Sequence, residues 1–322
     1  MRHYLARRAL QAVVIVFLVA TLSFLLLHLA PGDPFTTLQN PNITETVRQR
    51  WRAAYGLDRP LPEQYLRYLG TVARGQLGYS YSLHEPVLNA LATALPNTLV
   101  LMAAALAASF ALGILLGLVQ ARHRGSALDH GIGTLSLFFY SMPDFWLAIM
   151  MLLAFAYWLP IFPVTGMFDP VMHAMYGFWG RMADRAWHLV LPATTLTLLS
   201  AAFIARYQRA AVLDVLQDDF VRTARAKGVG ERAILVRHVL RNALLPVITL
   251  LGLALPALLG GAVFVEKIFA WPGMGYLTVR AIATRDYPLV TAAMIVGAVL
   301  VAAGNLLADV LYAVVDPRLR AT

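Results

Sequence analysis

The 322-residue chain is 59% hydrophobic and only 13% charged, about half the charged fraction that is typical of soluble domains. So few polar residues could not cover the surface of a soluble protein, which indicates that lipid is the solvent. The chain has no cysteine, which excludes disulfides, thiolate metal sites and cysteine nucleophiles. Its net charge of +9 comes from basic residues clustered between hydrophobic runs, and membrane lipid explains them better than nucleic acid does.

Six apolar runs are each long enough to cross a hydrocarbon core of about 30 Å, which needs about 20 helical residues. We predict spans at 9–29, 98–119, 131–158, 188–205, 243–265 and 288–315. The first run follows three arginines, as a signal peptide would, but it lacks a small-residue cleavage site, so 1–30 is interpreted as a tail and a retained span. The fold class that follows is an all-α membrane protein with six transmembrane helices.

An even number of spans places both termini on the same side of the membrane. The segment 206–242 between the fourth and fifth spans carries many arginines, and the N-terminus and the C-terminal tail fall on its side. Basic loops favour the cytoplasm, so we expect this face and both termini to be cytoplasmic. The residues 31–96 are then expected to form a small external helical subdomain, with helices at 44–55 and 62–72 and a glycine-containing turn at 75–81.

Two features within the spans bear on helix packing. Gly113 and Gly117 form a GxxxG pattern that would let another helix approach closely, although such spacing is also common by chance. Pro143 interrupts the third run and predicts a kink or a tilt there. Asp144 follows it inside the span, where a carboxylate is costly, and either lines an aqueous path or packs against the backbone freed by the proline.

The stretch DDFVRTARAKG at 218–228 has the features of a short helix on the basic loop. Asp218 and Asp219 lie at its start, Arg225 and Lys227 at its end, and Gly228 can supply a left-handed stop. Asp218 and Arg222 are spaced to pair, and Val212, Leu216 and Phe220 are spaced to form an apolar stripe. The pattern alone favours two interpretations equally, a helix gripped by another protein and an interfacial helix on anionic lipid.

The sequence WPGMG at 271–275 breaks any helix near the end of the fifth run. Non-helical backbone at that depth is tolerated only against protein or water, so we expect Trp271, Pro272 and Gly273 near the translocation path or a subunit interface. A purely structural turn is the alternative. The chain has no GxxxxGK[ST] nucleotide-binding loop, and its eight histidines are scattered, which predicts interfacial or hydrogen-bonded histidines and no metal site.

The 218–228 stretch resembles the cytoplasmic coupling loop of ABC importer permeases of type I, and more narrowly of the dipeptide/oligopeptide/nickel permease family. Further blocks resemble that family in the same order: PGDP at 31–34, GLDRPLPEQYLRYL at 56–69, GQLGYS at 75–80, SMPDFW at 141–146, LRNALLP at 240–246, FAWPGMG at 269–275, RDYP at 285–288 and DPRLR at 316–320. The chain departs from the pattern at Gln76, where an acidic residue is expected, and at Arg222-Thr223-Ala224, where the wider superfamily has Glu-Ala-Ala.

The resemblance implies an ABC type-1 transmembrane domain at 97–316, followed by a cytoplasmic tail at 316–322, in a bacterial inner membrane. It implies a permease that forms half of a translocation path together with a second, homologous permease subunit. Two ATP-binding subunits and a periplasmic or lipid-anchored solute-binding protein complete the importer. The chain itself then holds no catalytic residue, metal or cofactor, because ATP and Mg²⁺ bind to the partner subunits.

The expected cargo is di- or oligopeptides. Nickel, glutathione-like compounds and antimicrobial peptides are the alternatives within the family, and an ion-gradient-driven secondary transporter is the alternative outside it. That last class predicts inverted repeats and paired broken spans, and no convincing repeat is visible. The residues expected to dock on the ATP-binding subunit are Asp219, Phe220, Arg222, Thr223, Ala224, Arg225, Ala226, Lys227 and Gly228. Among them Phe220 is the expected apolar anchor, and Ala224 and Gly228 are expected to be sterically restricted.

Overall fold

The computed structural model describes residues 2–29, 59–260 and 262–315. The predicted helix at 44–55, the PGDP block, the DPRLR block and the C-terminal tail therefore lie outside the described residues. The described part is helical apart from its connections and one two-stranded antiparallel sheet.

The elements before the basic loop are α1 (Arg2–Leu29), α2 (Leu61–Ala73), β1 (Tyr79–Ser80), β2 (Glu85–Pro86), α3 (Val87–Arg122), α4 (Ala127–Tyr140), α5 (Asp144–Leu152, continued by a π-helical turn at Leu153–Trp158) and α6 (Phe178–Val215). The remaining elements are α7 (Asp219–Ala226), α8 (Glu231–Ala233, continued by a π-helical turn at Ile234–Val239), α9 (Leu240–Ala243), α10 (Leu245–Gly260), α11 (Val263–Ile268), α12 (Met274–Ala283) and α13 (Tyr287–Val315).

Four of the described helices are long and apolar enough to cross a membrane, at Arg7–Leu26, Val87–Arg122, Phe178–Val215 and Tyr287–Ala308. Two bent helix pairs, which begin at Ala127 and at Glu231, raise the number to six if each pair counts as one span. The protein is therefore a multi-pass helical membrane protein, with four to six spans in the part of the chain that the structure describes.

Several helices extend well beyond the predicted spans. The helix α3 begins at Val87 and α6 covers 38 residues, about 57 Å of helix against a hydrocarbon core of about 30 Å. The added length of α3 is held by protein contacts, because its first turns pack into an apolar cluster with α12 and the start of α13. Pro96 lies inside α3 without ending it. Hydropathy located the apolar centre of each helix but not its ends.

The third apolar run is broken, which is more than the predicted kink. The helices α4 and α5 meet at 104°, with Pro143 directly before the first residue of α5. A proline lacks the N–H that would continue the helical ladder, and it disfavours helical backbone in the residue before it. The run therefore divides into two helices that point in different directions.

The centre of the bundle is the crossing of α3 and α6, and the GxxxG pattern makes it close. A Cβ atom on Gly113 would lie 2.6 Å from Cβ of Ile204, and one on Gly117 would lie 2.6 Å from the carbonyl oxygen of Ala205. No real side chain tolerates such distances, so only glycine permits this approach. The pattern is thus used inside this chain, between two of its own helices.

The two ends of the bundle differ. We call the end formed by the last turn of α3, the turn 123–126 and residues 206–243 the basic end, because it carries the clustered arginines. At the opposite end, Asp286 precedes α13 and accepts hydrogen bonds from the hydroxyl groups of Ser80 (2.5 Å) and Ser82 (2.8 Å) and from the backbone N–H of Leu289 (3.3 Å). The segment around the small sheet is thereby fastened to the start of the last long helix.

Candidate functional site

The helix α7 has the boundaries that its sequence predicts. Asp218 immediately precedes it, its last helical residue is Ala226, and Gly228 has a φ of +76°, which confirms the left-handed stop. The backbone N–H of Gly228 donates to the carbonyl of Arg225 (2.9 Å), and that of Val229 donates to the carbonyl of Ala224 (3.2 Å). These two bonds form a Schellman motif, which satisfies carbonyls that the end of a helix otherwise leaves unpaired.

Two neighbouring residues of α7 face in opposite directions. Val221 is fully buried (0% exposed) in a cluster with Ala121 of α3 and Val212 of α6, together with Ile234 and Val239 of the π-helical turn after α8. Phe220 remains 40% exposed.

Most of the other predicted docking residues also lie on the outer surface of α7. Asp219, Arg222, Thr223, Arg225, Ala226, Lys227 and Gly228 are exposed, whereas Ala224 is half-buried against the apolar cluster. One face of the helix thus fastens it to the bundle, and the other presents an aromatic ring among cations.

Two expectations about this stretch are wrong. The apolar stripe is not continuous, because α6 ends at Val215 and the following turn rotates Phe220 outward while Val212 stays buried. The pair between Asp218 and Arg222 is not formed either. Arg222 lies 3.3 Å from the carboxylate of Asp219 instead, and both side chains are exposed. Both expectations require one unbroken helix, and the turn at 216–218 interrupts it.

Arg225 has a partner within the chain. Its Nε and Nη2 donate to the two carboxylate oxygens of Glu231 at 2.7 and 3.3 Å, and this bidentate contact raises the pKa of the arginine. The pair bridges the end of α7 and the start of α8. An acidic residue of another protein would therefore compete with Glu231 for Arg225.

A second ion pair at the basic end was not predicted. The carboxylate of Asp129, in the first turn of α4, accepts from Nε (2.9 Å) and Nη2 (2.7 Å) of Arg209 on α6. The available signal was the spacing of Ser126 and Asp129, which resembles a helix-capping motif, and the Ser126 hydroxyl does accept from the Asp129 N–H at 3.3 Å. Such a motif indicates where a helix begins but not which distant arginine its acid meets.

Asp144 lies at the start of α5, beside the break. Its carboxylate accepts from the N–H of Phe145 at 2.8 Å, and the side chain is half-buried. Next to it an open cavity of about 550 Å³ is lined by residues that include Phe138, Ser141, Met142 and Trp146. Both alternatives for Asp144 thus have a physical counterpart here, the freed backbone and an open space.

The 271–275 turn is held inside the chain. Trp271 is 1% exposed, its indole N–H donates to the carbonyl of Asn97 (2.9 Å), and the Asn97 amide donates back to the carbonyl of Pro272 (2.9 Å). The side chain of Trp271 faces α3, as the structural alternative requires. Any role of the turn in a path or an interface would have to come from its other surface.

Glu266, on α11, places its carboxylate against the same turn. Its carboxylate accepts from the hydroxyl of Thr98 (2.7 Å) and from the backbone N–H groups of Gly275 (2.7 Å) and Tyr276 (3.1 Å). A Cβ atom on Gly273 would lie 2.5 Å from this carboxylate, so the glycine is required by close approach. The acid thus fastens the turn and the start of α12 to α3.

Two of the described histidines share one carboxylate as their partner. His173 and His188 place Nδ1 at 2.6 and 3.2 Å from the carboxylate of Asp184, and no metal-binding group of three or more ligands occurs among the described residues. Asp169 in the same loop accepts backbone N–H bonds from Met172 and Val171, which lower the pKa of its carboxyl group. These contacts fix the connection between α5 and α6 to the first turns of α6.

The fold and the basic end together define a class of protein: a multi-pass helical membrane component with a short, exposed cationic helix at one end. Residues 113–321 match the family described as "Binding-protein-dependent transport system inner membrane component", and residues 1–102 match its N-terminal family. The chain belongs to this family of ABC importer permeases, which confirms the resemblance. It is a membrane subunit without catalysis of its own. The family works with a partner ATPase that binds the nucleotide and with a binding protein.

Full-length relatives agree with this assignment. The chain is 40% identical to the oligopeptide transport system permease protein AppB of Bacillus subtilis and 39% identical to the di/tripeptide transport system permease protein DppB of Pseudomonas aeruginosa, with 99% of each chain covered. It is 42% identical to a putative peptide permease protein of Brucella suis, over 100% of both chains.

Proposed function

We propose that this chain is one permease subunit of an ATP-driven, binding-protein-dependent importer of di- or oligopeptides. It forms half of the path with a second, homologous permease, and two ATP-binding subunits and a periplasmic or lipid-anchored solute-binding protein complete the assembly. The chain crosses a bacterial inner membrane six times, with both termini and the basic end in the cytoplasm. The observation that carries the proposal is the two-faced helix α7, in a chain whose full-length relatives are named as peptide permeases.

The mechanism follows from the two faces of α7. Its outer face docks in a groove of the ATP-binding subunit with Phe220 as the apolar anchor, while Val221 buries its inner face in the apolar cluster that α3, α6 and the π-helical turn after α8 contribute to. Closure of the ATP-binding pair then moves the helix and the bundle behind it. To reverse a 1:99 population of two states, ATP binding must favour one state by about 5.5 kcal/mol. A helix anchored by a buried valine is suited to transmit such a bias.

The test is reconstitution of the complete importer in lipid vesicles with its binding protein enclosed or supplied outside. We expect uptake of labelled di- or oligopeptides that requires ATP, the binding protein and both permeases. Uptake driven by an ion gradient without the ATP-binding subunits would refute the proposal in favour of a secondary transporter. Uptake of nickel or glutathione, with no uptake of peptides, would retain the permease role and correct the cargo.

Gly228 provides a sharper test of the docking surface. Its φ of +76° is strained for any residue with a side chain, and a Cβ atom would point into open space, where a partner could approach. We expect Gly228→Leu to reduce peptide uptake per ATP hydrolysed while the permease pair still assembles. The matched control is Gly230→Ala, because Gly230 is equally open but has a φ of −64°. Normal coupled uptake by an assembled Gly228→Leu complex would contradict the docking role.

One of the remaining candidate sites is proposed to border the path. We propose that the open cavity beside Asp144 faces the translocation route, whereas the 271–273 turn supports it from behind α3. Because the chain has no cysteine, single cysteines report solvent access without background. We expect Ser141→Cys to react with a water-soluble thiol reagent and transported peptide to slow that reaction. An unreactive Ser141→Cys in the working importer would refute this placement.

A further inference from the structure

One buried carboxylate at the basic end, on α4, accepts contacts from two other helices and a turn. Asp129 is 5% exposed, and besides its two bonds from Arg209 it accepts from the backbone N–H of Gly125 (3.0 Å) and from the side-chain amide of Gln120 (3.3 Å). Gln120 belongs to α3, Gly125 to the turn, Asp129 to α4 and Arg209 to α6. The proposed docking of α7 does not use this cluster.

The cluster lies directly behind the segments that hold α7. Ala121, the neighbour of Gln120, and Val212, one helical turn after Arg209, both belong to the apolar cluster that buries Val221 of α7. The glycine-mediated crossing of α3 and α6 continues on the same level, since a Cβ atom on Gly117 would lie 2.9 Å from the backbone nitrogen of Arg209. We therefore expect displacement of α7 to pass through this apolar cluster to the ends of α3 and α6.

The helix α4 is joined to this unit by its first turn. Asp129 lies there, and the bidentate contact from Arg209 fixes both the distance and the orientation of the two helices. Removal of one partner leaves a buried, unpaired charge, so the contact resists separation. The last turns of α4 line the open cavity beside the break before α5. A rotation of the first turn of α4 is thus carried about 20 Å along the helix to the candidate path.

We propose that the Asp129–Arg209 pair is a positioning element of transport: it fastens α4 to α6, so that displacement of α7 by a docked partner reaches the α4–α5 break. The inference rests on the proposed function and names two residues through which it operates. This role requires neither residue to touch the partner or the cargo. Their role is to make α3, α4 and α6 move as one body with α7.

The experiment uses the complete importer in vesicles and measures both ATP hydrolysis and peptide uptake. We expect Asp129→Asn and Arg209→Gln to lower uptake per ATP by about fivefold or more, the lower end of the range for coupling between distant sites. The double variant is expected to lose no more than either single variant, because each removes the same contact. Glu63→Gln is the matched control, since Glu63 pairs with Arg59 and Arg67 on the exposed surface of α2, away from the basic end.

A covalent tether separates positioning from stability. In the cysteine-free chain, Asp129→Cys with Arg209→Cys can be joined in the assembled complex by a short bifunctional thiol reagent. We expect the reduced complex to be uncoupled and the bridged complex to regain coupled uptake. Coupled uptake by the reduced complex would overturn the proposal, and so would a bridged, intact complex that stays uncoupled. If the double-cysteine chain does not assemble, the variant Arg209→Lys is measured in its place. Lysine keeps the positive charge but cannot make the bidentate contact. Full coupling in this variant would overturn the requirement for a bidentate contact.

Failure of this proposal is distinguishable from failure of the proposed function. The unmodified complex tests the function, because it must show uptake that depends on ATP and the binding protein. The Asp129 and Arg209 variants are interpreted against that same complex. An unmodified complex that transports while all variants remain coupled refutes the positioning role alone.

Discussion

Phe220 and Val221 are adjacent in sequence and opposite in environment, and this permits a direct test of how α7 is used. The perturbations are Phe220→Ala and Val221→Ala. Val221→Ala removes two buried methyl groups at about 0.8 kcal/mol each, and the cavity left behind raises the expected loss of stability to about 2 kcal/mol. Phe220 is already 40% exposed, so its truncation is expected to cost the isolated permease only about 1 kcal/mol.

The two variants are expected to rank in the opposite order when their affinity for the ATP-binding subunits is measured instead of their stability. A buried aromatic anchor at the centre of an interface contributes about 2 kcal/mol or more, so Phe220→Ala should weaken the affinity for the ATP-binding subunits about 30-fold. Val221→Ala should weaken it less, because Val221 does not face the partner. The assay is titration of purified ATP-binding subunits onto the permease pair in lipid nanodiscs, with thermal unfolding of each variant measured in parallel.

Tyr207→Ala supplies the control, since Tyr207 is a comparably exposed aromatic residue (43%) at the same end but on α6. It is expected to leave the affinity within about threefold of the parent, because surface substitutions away from an interface have small effects. The reasoning is refuted if Phe220→Ala binds the ATP-binding subunits as tightly as the parent. It is also refuted if Val221→Ala proves the weaker binder and the more stable fold.

Two further predictions concern the bundle itself. Gly117→Leu places a side chain 2.6 Å from the carbonyl oxygen of Ala205 and is expected to destabilise the permease by about 1–3 kcal/mol. The control Gly131→Ala, whose new methyl group meets nothing within 4 Å, should leave the thermal unfolding of the permease unchanged. Equal thermal unfolding of the two variants would contradict the close crossing of α3 and α6. Glu266→Ala leaves three donors without an acceptor, two of them in buried contacts at about 1–3 kcal/mol each, and should speed amide hydrogen exchange at Gly275 and Tyr276. Unchanged exchange at those two amides would show that the carboxylate does not hold the turn.

The parts that sequence predicts well are those that local chemistry determines. The end of α7 follows from Gly228 and the preceding cations, because a left-handed stop depends on one residue and its immediate neighbours. The break at Pro143 was anticipated as a kink for the same reason. Its size, 104°, was not, because the angle depends on how α4 and α5 each pack against the rest of the chain.

The long-range contacts could not be predicted in this way. Thr98 and Glu266 are 168 residues apart, and Ser80 and Asp286 are 206 apart, yet each pair is hydrogen-bonded. The blocks around 75–80, 271–275 and 285–288 were recognised as separate motifs, and nothing in their spacing indicated which of them meet. Hydropathy fails here for a physical reason: it reports transfer from water to lipid and carries no information about which polar groups find each other.

Three buried acids among the described residues, Asp129, Glu266 and Asp286, occupy comparable places at the two ends of the bundle. Helices in lipid gain little from apolar contact with one another, since lipid tails are as apolar as leucine, so close packing and polar contacts must fix their arrangement. At the opposite end, Glu266 and Asp286 accept from backbone N–H and hydroxyl groups that belong to turns and helix starts. Those contacts hold loops onto helices.

Asp129 differs because its main partner is a guanidinium group on another long helix. A guanidinium at the end of a flexible side chain can follow its carboxylate through a small displacement, whereas a backbone N–H cannot. The Asp129–Arg209 contact is therefore suited to remain formed while α4 and α6 move together. The contacts of Glu266 and Asp286 at the opposite end are suited to hold turns in place against such movement. This asymmetry is what a bundle needs if force enters at α7 and the path opens near the α4–α5 break.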